Sequence, residues 1–266
     1  MKHELDETGG VVVSELVEVA ENESLNQFKK PKHDNHHENG IVHQEMTYEQ
    51  GNNTQPKAII TGLCRLFYSL GWCTGTGGGL SIRENGRIYL APSGVQKERM
   101  REEDIFVLDS ETKQVLEYPV NLKLKMSACK PLFFLAFDLR NAGACLHSHS
   151  VSSVVLTAVL EKQGKKEFRV THLEMIKGIE GLGYRDTLVV PIIDNTPFEH
   201  ELEDSMKQAM LDYPDTKAIL VKRHGVYVWG KTWEQAKAHA ECLDYLFNAA
   251  VELIKLGIDP AEAPKQ

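Results

Sequence analysis

From Lys57 onward, apolar residues recur along the chain with two periods, and each period predicts an element. In KAIITGLCRLFYSLGW, Ile59, Ile60, Leu63, Phe67 and Leu70 fall at helical spacing, and Gly71 ends the run. GLSIRENGRIYLAP holds two alternating runs around Asn85-Gly86, a dipeptide that accepts the positive φ angles of a tight hairpin. DIFVLD predicts another short strand. Ser127 stands where it would cap a helix through PLFFLAFDLRNAG, with Gly143 past its end. ACLHSHS predicts a strand, and a helix is expected to begin near Val151. Then come the loop EKQGKK, the strand-like DTLVVPII, and a helix over EHELEDSMKQAMLDY. AILVKRHGVYVWG reads as a hairpin turning at His224-Gly225, and a last helix runs from Thr232 to about Leu256. Strands come in hairpins and helices lie between groups of them, so the class is α/β or α+β with a mainly antiparallel sheet.

Residues 1–55 break this pattern. They are rich in Glu, Asn, His and Lys, with no sustained period, and bury too little apolar surface to offset ordering entropy. A polar tail is expected there, although KHDNHHENGIVH, with His33, His36, His37 and His43, also has the composition of a metal-binding tract. A single domain is expected over 56–260 and a short tail over 261–266. At 42% hydrophobic and 26% charged, usage is that of an ordinary globular protein. The net charge of −8, with no basic stripe, argues against a nucleic-acid surface. No apolar run reaches membrane-spanning length, and the first residues lack a signal core. Five scattered cysteines without CxxC spacing argue for a reducing compartment, so a cytoplasmic location is expected.

Candidate chemistry starts with histidine. His147 and His149, one residue apart on a strand, share a face. They are a metal-ligand pair or the polar face of an edge strand. His224, at a hairpin turn, is placed to complete a three-imidazole site with open positions of the kind a catalytic zinc needs. Three unrelated polar histidines remain the alternative. GWCTGTGGGLSI, with Gly75, Gly77, Gly78 and Gly79, suits either a flexible turn or a backbone cradle for an anion. APSGVQKE adds a second small-residue turn, with Ser93 and Gly94 as donors and Lys97 as a counter-charge. Glu174, two residues beyond His172, is a proton shuttle beside a metal or a solvated glutamate. Cys129, in the first turn of a helix, is an activated thiol or simply buried.

GTGGGLSI, APSGVQKE, HSHS, THLEMIKGI and KRHGVYVWG occur in this order. On these motifs the chain from about Lys57 to Pro260 resembles the methylthioribulose-1-phosphate dehydratases of methionine salvage, which belong to the class II aldolase/adducin superfamily. The resemblance implies an α/β fold of three layers (α/β/α), a central mainly antiparallel sheet flanked by helices. It implies one zinc ion per subunit on His147, His149 and His224, with Glu174 as proton donor and acceptor. Cys129 falls where the family's cysteine meets substrate and where aldolases of the superfamily carry a catalytic glutamate. Ser127, Ser93, Gly94, Gly77 and Gly78 fall at the expected phosphate donors. A slightly longer EKQGKK loop is the one departure, and it bears on the Glu174 segment. The implied substrate is a small sugar phosphate, 5-methylthioribulose 1-phosphate, dehydrated to 5-methylthio-2,3-dioxopentyl phosphate, and the implied assembly is a homotetramer with sites near subunit interfaces. The rival readings are a sugar-phosphate aldolase or epimerase and an adducin-like scaffold without catalysis.

Overall fold

The computed structural model describes residues 55–265; the expected polar tail and its histidine run lie outside them. Helix α1 (Pro56–Ser69) opens on a proline, whose missing N–H costs nothing at a helix start, and the chain turns away at Gly71 with φ +77°. The hairpin of β1 (Gly79–Glu84) and β2 (Arg87–Leu90) turns on Asn85 and Gly86, at φ +51° and +73°, as the dipeptide predicts. A short pair, β3 (Pro92–Ser93) with β6 (Lys125–Met126), stands apart from the main sheet. Between them lie β4 (Phe106–Asp109) and β5 (Val115–Glu117).

Helix α2 (Lys130–Arg140) begins two residues later than a Ser127 cap predicts, with Cys129 at the cap position. The Ser127 hydroxyl instead accepts the Cys129 N–H at 3.2 Å, so it supports the turn that leads into the helix. The strand β7 (Ala144–Ser148), helix α3 (Val151–Lys162), strand β9 (Thr187–Ile193), the hairpin β10 (Ala218–Val221) and β11 (Gly225–Gly230), and helix α5 (Trp233–Lys255) follow the expected order. Two expectations change. The segment read as one helix from Glu199 divides into a 3-10 turn (Glu199–Leu202) and α4 (Glu203–Asp212). KEFRVT, for which no element is expected, forms β8 (Glu167–Thr171), because Phe168 and Val170 alternate onto the buried face and pair with Val190 and Leu188.

The nine-stranded sheet runs β5-β4-β2-β1-β7-β11-β10-β9-β8, and only the β9–β10 pair is parallel. Two apolar clusters cover its faces, which makes three layers. On one face, Leu80, Ile82, Leu146, Val226 and Val228 pack with Phe67 of α1, Leu156 of α3 and Phe247 of α5. On the other, Cys145, Tyr227 and Trp229 pack with Phe133 of α2 and Met206 of α4. Strand alternation sends Leu146 to the first face and His147 to the second, so the histidines share a side with α2 and α4. Among the described residues, no helix is long and apolar enough to cross a membrane.

Candidate metal centre

The site is built where β7 ends and β11 begins. The pairing sets His147 opposite Tyr227 and Ser148 opposite Val226, so the end of one strand meets the turn before the other. His149 lies one residue past β7, and His224 one residue before β11. Their rings converge: His149 Nε2 is 2.8 Å from His147 Nε2 and 3.1 Å from His224 Nε2.

Each outer ring is held from behind. His147 Nδ1 lies 3.2 Å from the Val226 carbonyl, an acceptor that requires the proton on Nδ1 and leaves the Nε2 lone pair free. The same ring stacks on Tyr227, with centroids 4.0 Å apart and planes 7° from parallel. His224 Nδ1 meets the Asn195 side-chain oxygen at 3.0 Å, which selects the same tautomer. His149 passes against Gly77, where a Cβ would stand 2.5 Å from Nδ1. Only glycine leaves room for that ring.

Glu199 completes the cluster. Its Oε1 lies 3.7 Å from both His147 Nε2 and His224 Nε2, an electrostatic separation rather than a hydrogen bond. Four donors from two strand ends and a 3-10 turn thus surround one point. A tetrahedral ion with bonds of about 2.0–2.1 Å keeps its donors roughly 3.3 Å apart, so the set fits a divalent metal. Burial, and after it the neighbouring imidazoles, push His149 down to about 3 and His224 down to about 4. At neutral pH both rings are uncharged and can coordinate. Burial by itself would raise the Glu199 carboxyl, but its contacts with His147, Cys129 and His224 outweigh that and hold it at about 2.

The Cys129 thiol donates to Glu199 Oε2 at 2.7 Å. Burial, followed by the adjacent carboxylate, drives this thiol well above its ordinary value, so it stays protonated. A helix start that activates a thiolate, one of the two sequence expectations, is therefore not what this position provides. Cys129 and Glu199 also line a cavity of about 230 Å³ with Gly77, Gly78, Ser93, Gly94 and Ser127. The two small-residue turns thus meet at one site beside the imidazoles.

Glu174 is not brought there. It opens a 3-10 turn (Glu174–Gly178) whose Ile176, with Ile179 after it, is buried in the opposite layer, and its exposed carboxylate pairs with Lys177 at 2.8 Å. Glu199, by contrast, was missed by sequence reasoning. It lies in a charged stretch read as helix surface, and no spacing ties it to histidines 50 residues earlier and 25 later. Asn195 and Tyr227 gave no signal either.

Replacing Gly77 with alanine is expected to push His149 off the cluster and lower metal affinity at least about tenfold, with the fold intact by circular dichroism. Metal analysis after dialysis checks it; unchanged metal content would show that the ring has room to spare. A pH effect follows from His149 and His224. Their folded pKa values lie below the ordinary 6.5, so the unfolded chain binds more protons between about 3 and 6.5. Stability of the metal-stripped protein is therefore expected to fall as pH drops below 6.5. The urea midpoint followed from pH 7.5 to 4.5 should slope less in His149→Gln than in the parent chain; equal slopes would refute the assignment.

A sequence profile described as "Class II Aldolase and Adducin N-terminal domain" matches residues 58–251. The chain is 52% identical over 224 residues to the methylthioribulose-1-phosphate dehydratase of Danio rerio, covering 82% of this chain and 92% of that protein. It is 57% identical over 212 residues to the probable methylthioribulose-1-phosphate dehydratase of Drosophila melanogaster, covering 77% and 92%. Among solved structures, an L-fuculose 1-phosphate aldolase superposes with a TM-score of 0.63 at 20% identity, covering 79% of this chain and 91% of that one, a likeness of fold. The profile match over most of the chain, together with relatives at 52% and 57% identity, shows that the chain belongs to the class II aldolase and adducin family.

Proposed function

We propose that this protein is a zinc-dependent, cytoplasmic homotetramer that dehydrates 5-methylthioribulose 1-phosphate to 5-methylthio-2,3-dioxopentyl phosphate and water. The observation that carries the reading is the meeting of three convergent imidazoles with a small cavity walled by two glycine-containing turns. The names of relatives at 52% and 57% identity support it. So does a protonated thiol at position 129, where the aldolase reading called for a carboxylate.

In this reading His147, His149 and His224 hold the zinc, which when bound supplies a Lewis acid that makes a proton beside a ketone removable. The turn at Gly77 and Gly78, with Ser93, Gly94 and Ser127, receives the phosphate on C1. Cys129, uncharged and hydrogen-bonded to Glu199, meets the substrate without adding negative charge beside the one carboxylate already there. The base takes the proton from C3, the electron pair forms the C3–C4 double bond, and the C4 hydroxyl leaves with a proton as water. The enol then takes a proton at C4, and C3 becomes the second ketone.

Glu174 is the base in this scheme. Because its turn packs into the layer opposite the imidazoles, we assign it to the site of a neighbouring subunit, to which its exposed carboxylate is open.

Incubation with methylthioribulose 1-phosphate should yield the diketone, and His147→Ala should lose both metal and turnover. Full activity of that variant without zinc would overturn the reading. Separately, Glu174→Gln and His147→Ala tetramers are each expected to be inactive, yet mixed tetramers should regain activity at roughly a quarter of the sites for random 1:1 assembly. No recovery from intact mixed tetramers would place the base within one chain.

A further inference from the structure

Lys97 is a charged side chain in an unusual place. It begins the 3-10 turn Lys97–Arg99 that follows the second small-residue turn, and only 2% of it is exposed. Its ammonium donates to the Thr76 carbonyl at 2.9 Å and to the Val95 carbonyl at 3.3 Å. Thr76 belongs to the glycine-rich turn and Val95 to the APSGVQKE turn, so one side chain ties the two together. Among the described residues no carboxylate forms an ion pair with it.

Two consequences follow from elementary chemistry. An ammonium has three N–H donors, and two carbonyls use two of them. The third remains, on a residue that lines the cavity. A buried cation without an anionic partner is also costly, since neutral carbonyls offset only part of the lost hydration. An anion entering the cavity relieves both deficits. The backbone adds to this: neither Gly78 nor Gly94 gives its N–H to a backbone carbonyl among the described residues.

The cavity carries one charge of each sign in its lining. Lys97 is its one cationic lining residue and Glu199, beside the imidazoles, its one anionic one. We infer that Lys97 is the cation that binds the phosphate dianion of the substrate, and that holding the phosphate there leaves the other end of the molecule to the imidazoles. This inference rests on the proposal that the site takes a sugar phosphate. It adds the residue that recognises the phosphate and orients the chain of carbons, so that C2 and C3 rather than the ester face His147, His149 and His224.

Lys97→Met keeps the aliphatic stem and removes the charge; Lys97→Arg keeps the charge. The zinc-loaded tetramer is titrated with inorganic phosphate, with the phosphorylated ketose, and with methylthioribulose lacking the phosphate. In Lys97→Met, inhibition by phosphate should weaken at least about tenfold, the size of one charge-assisted hydrogen bond, and KM for the phosphorylated ketose should rise more than kcat falls. Binding of the unphosphorylated ketose should stay within about twofold, metal content should be retained, and Lys97→Arg should recover part of the phosphate affinity. Retained phosphate affinity in Lys97→Met overturns the assignment. Loss of metal together with loss of binding for all three probes also overturns it, because Lys97 would then act only as a strut that keeps Gly77 against His149. Should the parent protein bind phosphate through Lys97 yet yield no diketone, the dehydratase proposal fails while the anion site stands.

Discussion

Three imidazole nitrogens facing one another at hydrogen-bonding distance form an arrangement that a chain holds only when every ring is fixed from outside. A protonated pair so placed would repel, and a freely rotating ring would turn toward solvent. Here burial keeps His149 and His224 uncharged at neutral pH. The Val226 carbonyl, the Asn195 side chain and the Tyr227 ring set the planes and tautomers of the outer two. The third is set by the absence of a side chain at Gly77. The Val226 and Tyr227 supports come from the β7–β11 register, while Asn195 follows β9 and Gly77 precedes β1, strands of the same sheet. A shift of one residue would turn His147 to the opposite face.

That register carries further constraints on the backbone. Gly225 lies so close to β7 that a Cβ would meet the Ser148 carbonyl at 2.1 Å. Gly78 is similarly crowded, by Cys73, Trp72 and the His147 carbonyl, and takes a φ of +66°. The glycines near the site therefore have two physical roles. Gly78 and Gly94 line the cavity with N–H groups that have no backbone acceptor among the described residues, and Gly77 and Gly225 let a ring or a strand approach within a distance that any side chain would prevent.

The carboxylates are divided between layers. Glu199 reaches the cluster because a 3-10 turn precedes α4, and Cys129 holds its second oxygen. Glu174 rests on the α5 side of the sheet. A single chain thus brings together the imidazole cluster and the small cavity, whereas in the proposed reading the carboxylate assigned to proton transfer is presented by a second copy. Assembly and chemistry are linked in this proposal through the position of one 3-10 turn.

Much of this was legible along the chain. Period-two runs marked β1, β2, β7 and β11, Asn85-Gly86 marked the first hairpin, and the His-x-His pair marked a shared face, because backbone sterics and side-chain alternation act over a few residues. The quoted motifs also implied the three layers and the imidazole triad. Long-range placement was not legible. Glu199, Asn195 and Tyr227 carry no local signature, and the layer on which Glu174 rests depends on where Ile176 and Ile179 find apolar partners. KEFRVT carries a short Phe168/Val170 alternation, but the edge of β9 with which it pairs lies well beyond it in the chain, at Thr187–Ile193. Local pattern along the chain marked most of the strands and helices, though not β3, β5, β6 or β8, and supplied the residue types for metal and anion chemistry. Which of those residues meet follows from the folded chain, because contacts between groups tens of residues apart arise from burial and register, which no short stretch encodes.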